Sequence, residues 1–303
     1  MTEQHPDGPF TPMPPSGEPE ALQLGIVPLR PLTLTDIVGG AAQALRRNAP
    51  ALLGIAAVVL VVGELLHRLL TALFIGPVPD PDTIVAGRRP DWALLRPILY
   101  DALLELAILA VLGLVITSVV NVVVPRAVFG HTTPPRAALA EAAPALPRLF
   151  ATTVLTLVVY TLVILIAIMP VLVGGAAGVL LMLPALAGLV YLAIAFVFAP
   201  SVVVVEGVGP AAALDRSRKL VHAVGWWRVL GILALAQIAL GLLALIISTL
   251  FDRISGGSLL AQSLAIVIGG ILSSPAYAVV QSLLYIDHRA RSEGIEGIWR
   301  KAG

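Results

Sequence analysis

Cysteine is absent from the 303 residues, which excludes disulfides, thiolate metal sites and cysteine nucleophiles. Charge is scarce: 12% of the residues are Asp, Glu, Lys or Arg, about half the ~25% of soluble domains. The net charge of +1 offers no footprint for a nucleic-acid partner. His5, His67, His131, His222 and His288 sit in separate segments, and none has a second metal ligand at useful spacing. There is no G-x-S-x-G elbow, no H-E-x-x-H pair and no glycine-rich nucleotide loop. No catalytic residue, metal or cofactor is therefore expected. The first residues lack a basic stretch followed by an apolar one, so no cleaved signal peptide is expected either.

What the chain has is apolar length. Hydrophobic residues make up 58% of it, in runs long enough to cross a bilayer, which takes about 20 residues per helix. The fold class is all-α, a polytopic helical membrane protein. Six spans are predicted, at residues 49–74, 97–124, 149–173, 176–199, 228–250 and 258–285, the last kinked at Ser273-Ser274-Pro275. The third and fourth meet at a Gly174-Gly175 turn, and residues 251–257 form a short loop. Residues 1–25, rich in proline, read as a disordered tail, 26–287 as the membrane domain and 288–303 as a C-terminal tail.

Orientation follows from the nineteen Lys and Arg. One side collects Arg30, Arg46 and Arg47, then Arg126, Arg136 and Arg148, then Arg216, Arg218, Lys219 and Arg228, then the basic residues after position 288. The other side has only Arg68, Arg88, Arg89, Arg96 and Arg253. The positive-inside rule puts the rich side, and both termini, in the cytoplasm of a cell with an inner membrane.

Three segments on that side share one pattern: a helix start, an amphipathic helix lying in the interface, a basic residue, then a span. Thr33 with Asp36 opens the first as a capping signal, Thr133-Pro134 the second and Gly209-Pro210 the third. They lead into the membrane at Arg47-Asn48, Arg148 and Arg228, which predicts a threefold internal repeat in one orientation. In the third copy, Arg216, Arg218 and Lys219 line a charged face, and Trp226, Trp227 and Arg228 form an interfacial belt. This surface reads as a membrane anchor for anionic lipids or as a docking face for a partner.

Ionisable residues inside spans form the second candidate. Glu64, His67 and Arg68 fall in the far half of the first span, Glu64 roughly 22 Å into a core of about 30 Å. Glu64 and Arg68 are four apart, as are Asp101 and Glu105 near the start of the second span, so each pair shares a helix face. The two sets reach one polar cluster, either a structural ion-pair network or a proton- or cation-coupled site. Asn121, Gln237, Gln262 and Gln281 are expected to join helices by hydrogen bonds.

Several stretches carry a resemblance: Pro28-Leu-Arg-Pro-Leu-Thr-Leu-Thr-Asp-Ile37, Phe198-Ala-Pro-Ser-Val-Val-Val-Val-Glu206, Ala213-Leu-Asp-Arg-Ser217, Trp226-Trp-Arg-Val-Leu-Gly231 and Leu284-Tyr-Ile-Asp-His-Arg-Ala-Arg-Ser-Glu-Gly294. Over residues 26–299 the chain resembles the membrane domain associated with glycerophosphoryl diester phosphodiesterases, in its stand-alone actinobacterial form. The resemblance implies six or so helices and a cell-envelope location. It does not imply phosphodiesterase activity, because the His-Arg-Gly and Glu-x-Glu motifs of the separate catalytic barrel have no counterpart here. The expected function is a non-catalytic membrane module that binds lipid or a membrane partner, or a second copy of itself, in envelope biogenesis or homeostasis. The alternative is a small transporter or flippase-like protein with a polar site between the spans.

Overall fold

The computed structural model describes residues 25–28, 30–78, 92–174, 176–255 and 258–294. The proline-rich tail up to residue 24, most of the loop after the first span, Gly175 of the Gly174-Gly175 turn and the end of the C-terminal tail lie outside the described residues. Among the described residues, ten α-helices carry the fold, and six stretches are long and apolar enough to cross a membrane. The chain is an all-α polytopic membrane protein.

The helices form three successive units. The first has α1 (Leu34–Arg47), a span made of α2 (Ile55–Leu70) between the π-helical turns Pro50–Gly54 and Thr71–Ile75, and α3 (Trp92–Val128). The second has α4 (Pro135–Ala142), α5 (Leu146–Gly174), α6 (Ala176–Ala195) and α7 (Ala199–Glu206). The third has α8 (Pro210–Val224), α9 (Trp226–Ser255) and α10 (Leu259–Glu293). Each unit opens with a short helix and continues as a packed hairpin: α2 on α3, α5 on α6, α9 on α10. The short helices α1, α4 and α8 lie at one end of the bundle and form a collar there.

The local signals act as their chemistry dictates. The Thr33 hydroxyl accepts the Asp36 N–H at 3.2 Å while the Asp36 carboxylate accepts the Thr33 N–H at 2.9 Å, a complete capping box. Asn48 caps the C-terminus of α1, and Pro50 begins the next helix, where its missing N–H costs nothing. Gly209 caps α8 ahead of Pro210. Elsewhere helix continues where the sequence suggested a stop. Residues 251–255 belong to α9 rather than to a loop, α3 runs through Pro125, and α10 is one unbroken helix across Pro275 to Glu293.

The core is concentrated at the collar end. Val119, Val120, Val123 and Val124 of α3, Leu149 of α5, Phe198 and Val202 near α7, Leu220 and Val221 of α8 and Leu283, Leu284 and Tyr285 of α10 are all buried. Residues Ile26 and Val27 complete it, crossing the end of α3 with the Ile26 N–H on Ala127 O at 3.3 Å. α10 is the central helix, packing on α1, α2, α3, α8 and α9, and Gly270 lets it approach Leu60 of α2 closely. The lipid-facing helices show the opposite pattern. Protein covers only 6% of the apolar stretch in α9 and 11% of that in the α5 span, against 39% in α10.

Three links join the units in cyclic order. Asn48, at the end of α1, accepts the N–H of Thr133, just before α4, at 3.1 Å. Arg148, third residue of α5, donates to the carbonyl of Gly207, just before α8. Arg228, third residue of α9, donates at 2.7 Å to the carbonyl of Leu32, just before α1. First grips second, second grips third, and third grips first. The repeated sequence pattern thus becomes a closed ring of three like junctions.

Candidate functional site

Polar side chains gather at both ends of the bundle. At the end away from the collar, Arg68 Nε donates to Glu64 Oε1 at 2.6 Å across one helical turn. His67 Nε2 lies 3.0 Å from Asp101 Oδ1, and the Thr71 hydroxyl donates to the same oxygen at 2.6 Å. The pairing thus runs between α2 and α3 as well as along α2. Glu105 makes no hydrogen bond or ion pair among the described residues, and it lines a cleft with Glu64, His67, Gly63 and apolar residues of α2, α3 and α10. The five residues singled out by spacing therefore do come together.

Three carboxyl groups face one arginine and one histidine, so acidic groups outnumber basic ones in the cluster. The cleft measures about 30 Å³, room for a water or two, whereas organic ligands occupy roughly 300–1,000 Å³. In this conformation it can hold solvent or a small cation but no metabolite. Among the described residues, no three His, Asp or Glu side chains are arranged to hold a metal ion.

The collar end is held by two carboxylate-centred clasps. Asp287, 1% exposed, accepts from Leu32 N–H at 2.8 Å, Arg228 Nη1 at 2.8 Å and Arg291 Nε at 3.0 Å. Arg228 and Arg291 also donate to Leu32 O, so one residue of the chain has both backbone groups engaged. Glu206 accepts from the Tyr285 hydroxyl at 2.9 Å and from Arg216 Nε at 3.3 Å. Arg216 reaches on to Glu293, which Arg289 holds at 3.0 Å. The last three turns of α10 supply partners to both clasps. Burial of this kind is tolerated only where every charge is paired and hydrogen-bonded.

Beside them His288 is fully buried against the Phe198 ring at 5.1 Å, with Nδ1 hydrogen-bonded to Leu284 O at 2.9 Å. Six of the residues assigned to a C-terminal tail therefore belong to α10, packed in the collar. Gln281 does join helices, donating from α10 to Val197 O, whereas the Asn121 amide N–H turns back to Thr117 O of its own helix.

The third-copy surface divides. Arg216 and Arg228 point inward into the clasps. Arg218 and Lys219 stay on the open face, where both hold Asp215, at 3.1 and 2.6 Å. The Lys219 hydrogen bond first, then that of Arg218, keeps the Asp215 carboxyl below the usual carboxylate range. Trp226 stacks on Tyr191 and donates to its carbonyl at 3.3 Å, while Trp227 remains 78% exposed. The apolar face of α8 (Ala213, Leu214, Leu220, Val221) is covered by protein, so this helix shows the surroundings mainly its charged side. Glu206, Tyr285, Asp287 and Glu293 were not singled out as site residues by sequence. The only signal was their place in the stretches 198–206 and 284–294 quoted above.

No family model, curated protein or solved structure matches the chain.

Proposed function

We propose that the protein is a non-catalytic module of the cytoplasmic (inner) membrane that binds lipid or a membrane partner in envelope biogenesis or homeostasis, with the collar and both termini in the cytoplasm. One contrast carries this reading: a collar knit together by buried carboxylate clasps, below a second hairpin left uncovered. From Met182 to Ile194, α6 has no buried residue, and its partner α5 is nearly as bare. Apolar surface of that extent is stable only against acyl chains or the spans of another protein. The basic residues on the collar side support the orientation, and the stretches that resemble the phosphodiesterase-associated membrane domain support an envelope role.

Mild-detergent purification followed by native mass spectrometry tests the proposal. Retained lipid, or a stoichiometric membrane partner or second copy, is the expected result; a bare monomer would overturn it. A phosphatase reporter fused after Gly303 should be inactive, and activity in the periplasm would reverse the orientation.

The cleft of Glu64, His67 and Glu105 favours a second reading, a proton- or cation-coupled transporter or flippase-like protein. Reconstituted vesicles with an imposed pH gradient separate the two readings, because only this one expects gradient-dependent movement of substrate or lipid that Glu105→Gln abolishes.

A further inference from the structure

The collar is not uniform around its ring. At two junctions the arginine that opens the span is engaged, Arg148 on Gly207 O and Arg228 on Leu32 O and Asp287. At the remaining junction an uncharged amide does the linking, Asn48 to Thr133. Arg46 and Arg47 immediately precede that amide, and Arg136 follows Thr133 by three residues. All three are exposed, and none makes a hydrogen bond or ion pair among the described residues. The nearby carboxylates are occupied elsewhere: Glu141 pairs with Arg126 at 2.6 Å, and Asp36, at the other end of α1, pairs with Arg30.

The position of this unneutralised charge matters as much as its size. Pro50, two residues beyond Asn48, starts the apolar run of the first span, so the arginines stand where the chain goes into the membrane. Helix α1 gives the same level independently. Its inward stripe is Ile37, Gly40, Ala41 and Ala44, while Leu34 and Val38 are exposed on one flank and Arg47 lies on the other. A helix with an uncovered apolar flank and a basic flank rests at the boundary between acyl chains and headgroups.

We propose that Arg46, Arg47 and Arg136 form a binding site for the headgroup phosphate of an anionic phospholipid in the leaflet facing the collar. Guanidinium groups suit it because their forked N–H donors match phosphate oxygens in pairs. The site rests on the lipid-binding reading above and gives it a ligand class and an address. It also differs from the Arg218–Lys219 face, where Asp215 already neutralises half the charge.

The test uses the full-length protein in mild detergent, titrated with phosphatidylglycerol or with phosphatidylcholine of the same chains and read by native mass spectrometry. The parent should hold phosphatidylglycerol selectively. Each of R46Q, R47Q and R136Q should weaken that binding about five-fold, and the triple variant on the order of 100-fold. Binding of phosphatidylcholine, and of phosphatidylglycerol by the R218Q/K219Q control, should not change. Should the triple variant fail to fold, the three singles carry the test. A parent that retains lipid while the arginine variants match it overturns the site alone; a parent that retains neither lipid nor protein overturns the lipid-binding reading with it. Equal displacement by inorganic phosphate would make this a free-anion site, and loss of a bound protein instead of lipid would make it a protein interface. Either result overturns the proposal.

Discussion

Asp287 accepts a hydrogen bond from the backbone N–H of Leu32 at 2.8 Å across 255 residues of chain. The same buried carboxylate holds Arg228 and Arg291. Replacing it, Asp287→Ala, leaves two guanidinium groups and a buried N–H without their common acceptor. Breaking a buried pair in this way costs about 3–5 kcal/mol. A large fall in the thermal midpoint of the purified protein is expected, with Asp287→Asn falling between variant and parent. An unchanged midpoint for Asp287→Ala would show that this clasp does not hold the collar.

The ring makes its own prediction. Asn48→Ala leaves the buried Thr133 N–H unpartnered, at a cost of about 1–3 kcal/mol. The Thr133 amide should exchange with deuterium faster in that variant, while amides around Gly207 keep their protection. Uniform loss of protection at both junctions would mean that the three links do not act as separate contacts.

Acid should loosen α1 through Asp36. The Thr33 backbone N–H, then its hydroxyl, hold this carboxyl below its ordinary value of about 4, with Arg30 adding a smaller pull in the same direction. Because the folded pKa is lowered, the stabilisation is complete above about pH 4 and disappears as the pH falls through the still lower folded value. Amides in the first turn of α1, corrected for the intrinsic exchange rate, should lose protection only in that acid range. Thr33→Ala should cost about 1 kcal/mol at neutral pH, and loss of protection beginning near pH 6 would point to another group.

At the far end, Glu64 and Arg68, paired at 2.6 Å across one turn, should couple in a double-mutant cycle, and additive single losses would count against the pair. Glu105→Gln exchanges a carboxyl for an amide of the same shape without breaking any bond among the described residues, so stability should stay within about 0.5 kcal/mol of the parent. A larger destabilisation in the unfolding midpoint would give Glu105 a structural partner.

Gly25 lies so close to the end of α3 that a Cβ there would run into Ala127 O, Val128 O and the Gly130 N–H. These are backbone atoms and cannot swing aside as a side chain would. Gly25→Ala should therefore lift Ile26 and Val27 from the core, at about 1–3 kcal/mol, and expose the Ile26–Val27 bond to limited proteolysis. A protease pattern identical to the parent's would argue against this docking.

Local information made the six spans and three collar helices legible. Apolar run length, the Thr33–Asp36 box, Pro50, Pro210 and Gly209 each act within a few residues. The far-end cluster was legible for the same reason, since Glu64 with Arg68 and Asp101 with Glu105 share helix faces by spacing. The clasps were not, because Glu206 and Tyr285 meet across 79 positions and Asp287 and Arg228 across 59. Helical periodicity placed Arg216 and Arg228 among surface cations, since it reports which face of a helix a residue occupies and not what packs there. Helix ends were overcut at residues 251–255 and 288–293 because polar residues there looked like loop, although Ser255, Arg289, Arg291 and Glu293 bond within or onto helices.

The order of synthesis gives the Leu32–Asp287 contact a further meaning. A chain made from its N-terminus holds Leu32 long before Asp287, Arg228 and Arg291 exist together to receive it. The Asn48–Thr133 and Arg148–Gly207 junctions need only residues made earlier, whereas the full Leu32 contact waits for α10. A copy that ends before Asp287 therefore leaves the segment at Leu32 without its buried acceptor, and incompleteness at one end of the chain becomes exposed backbone at the other.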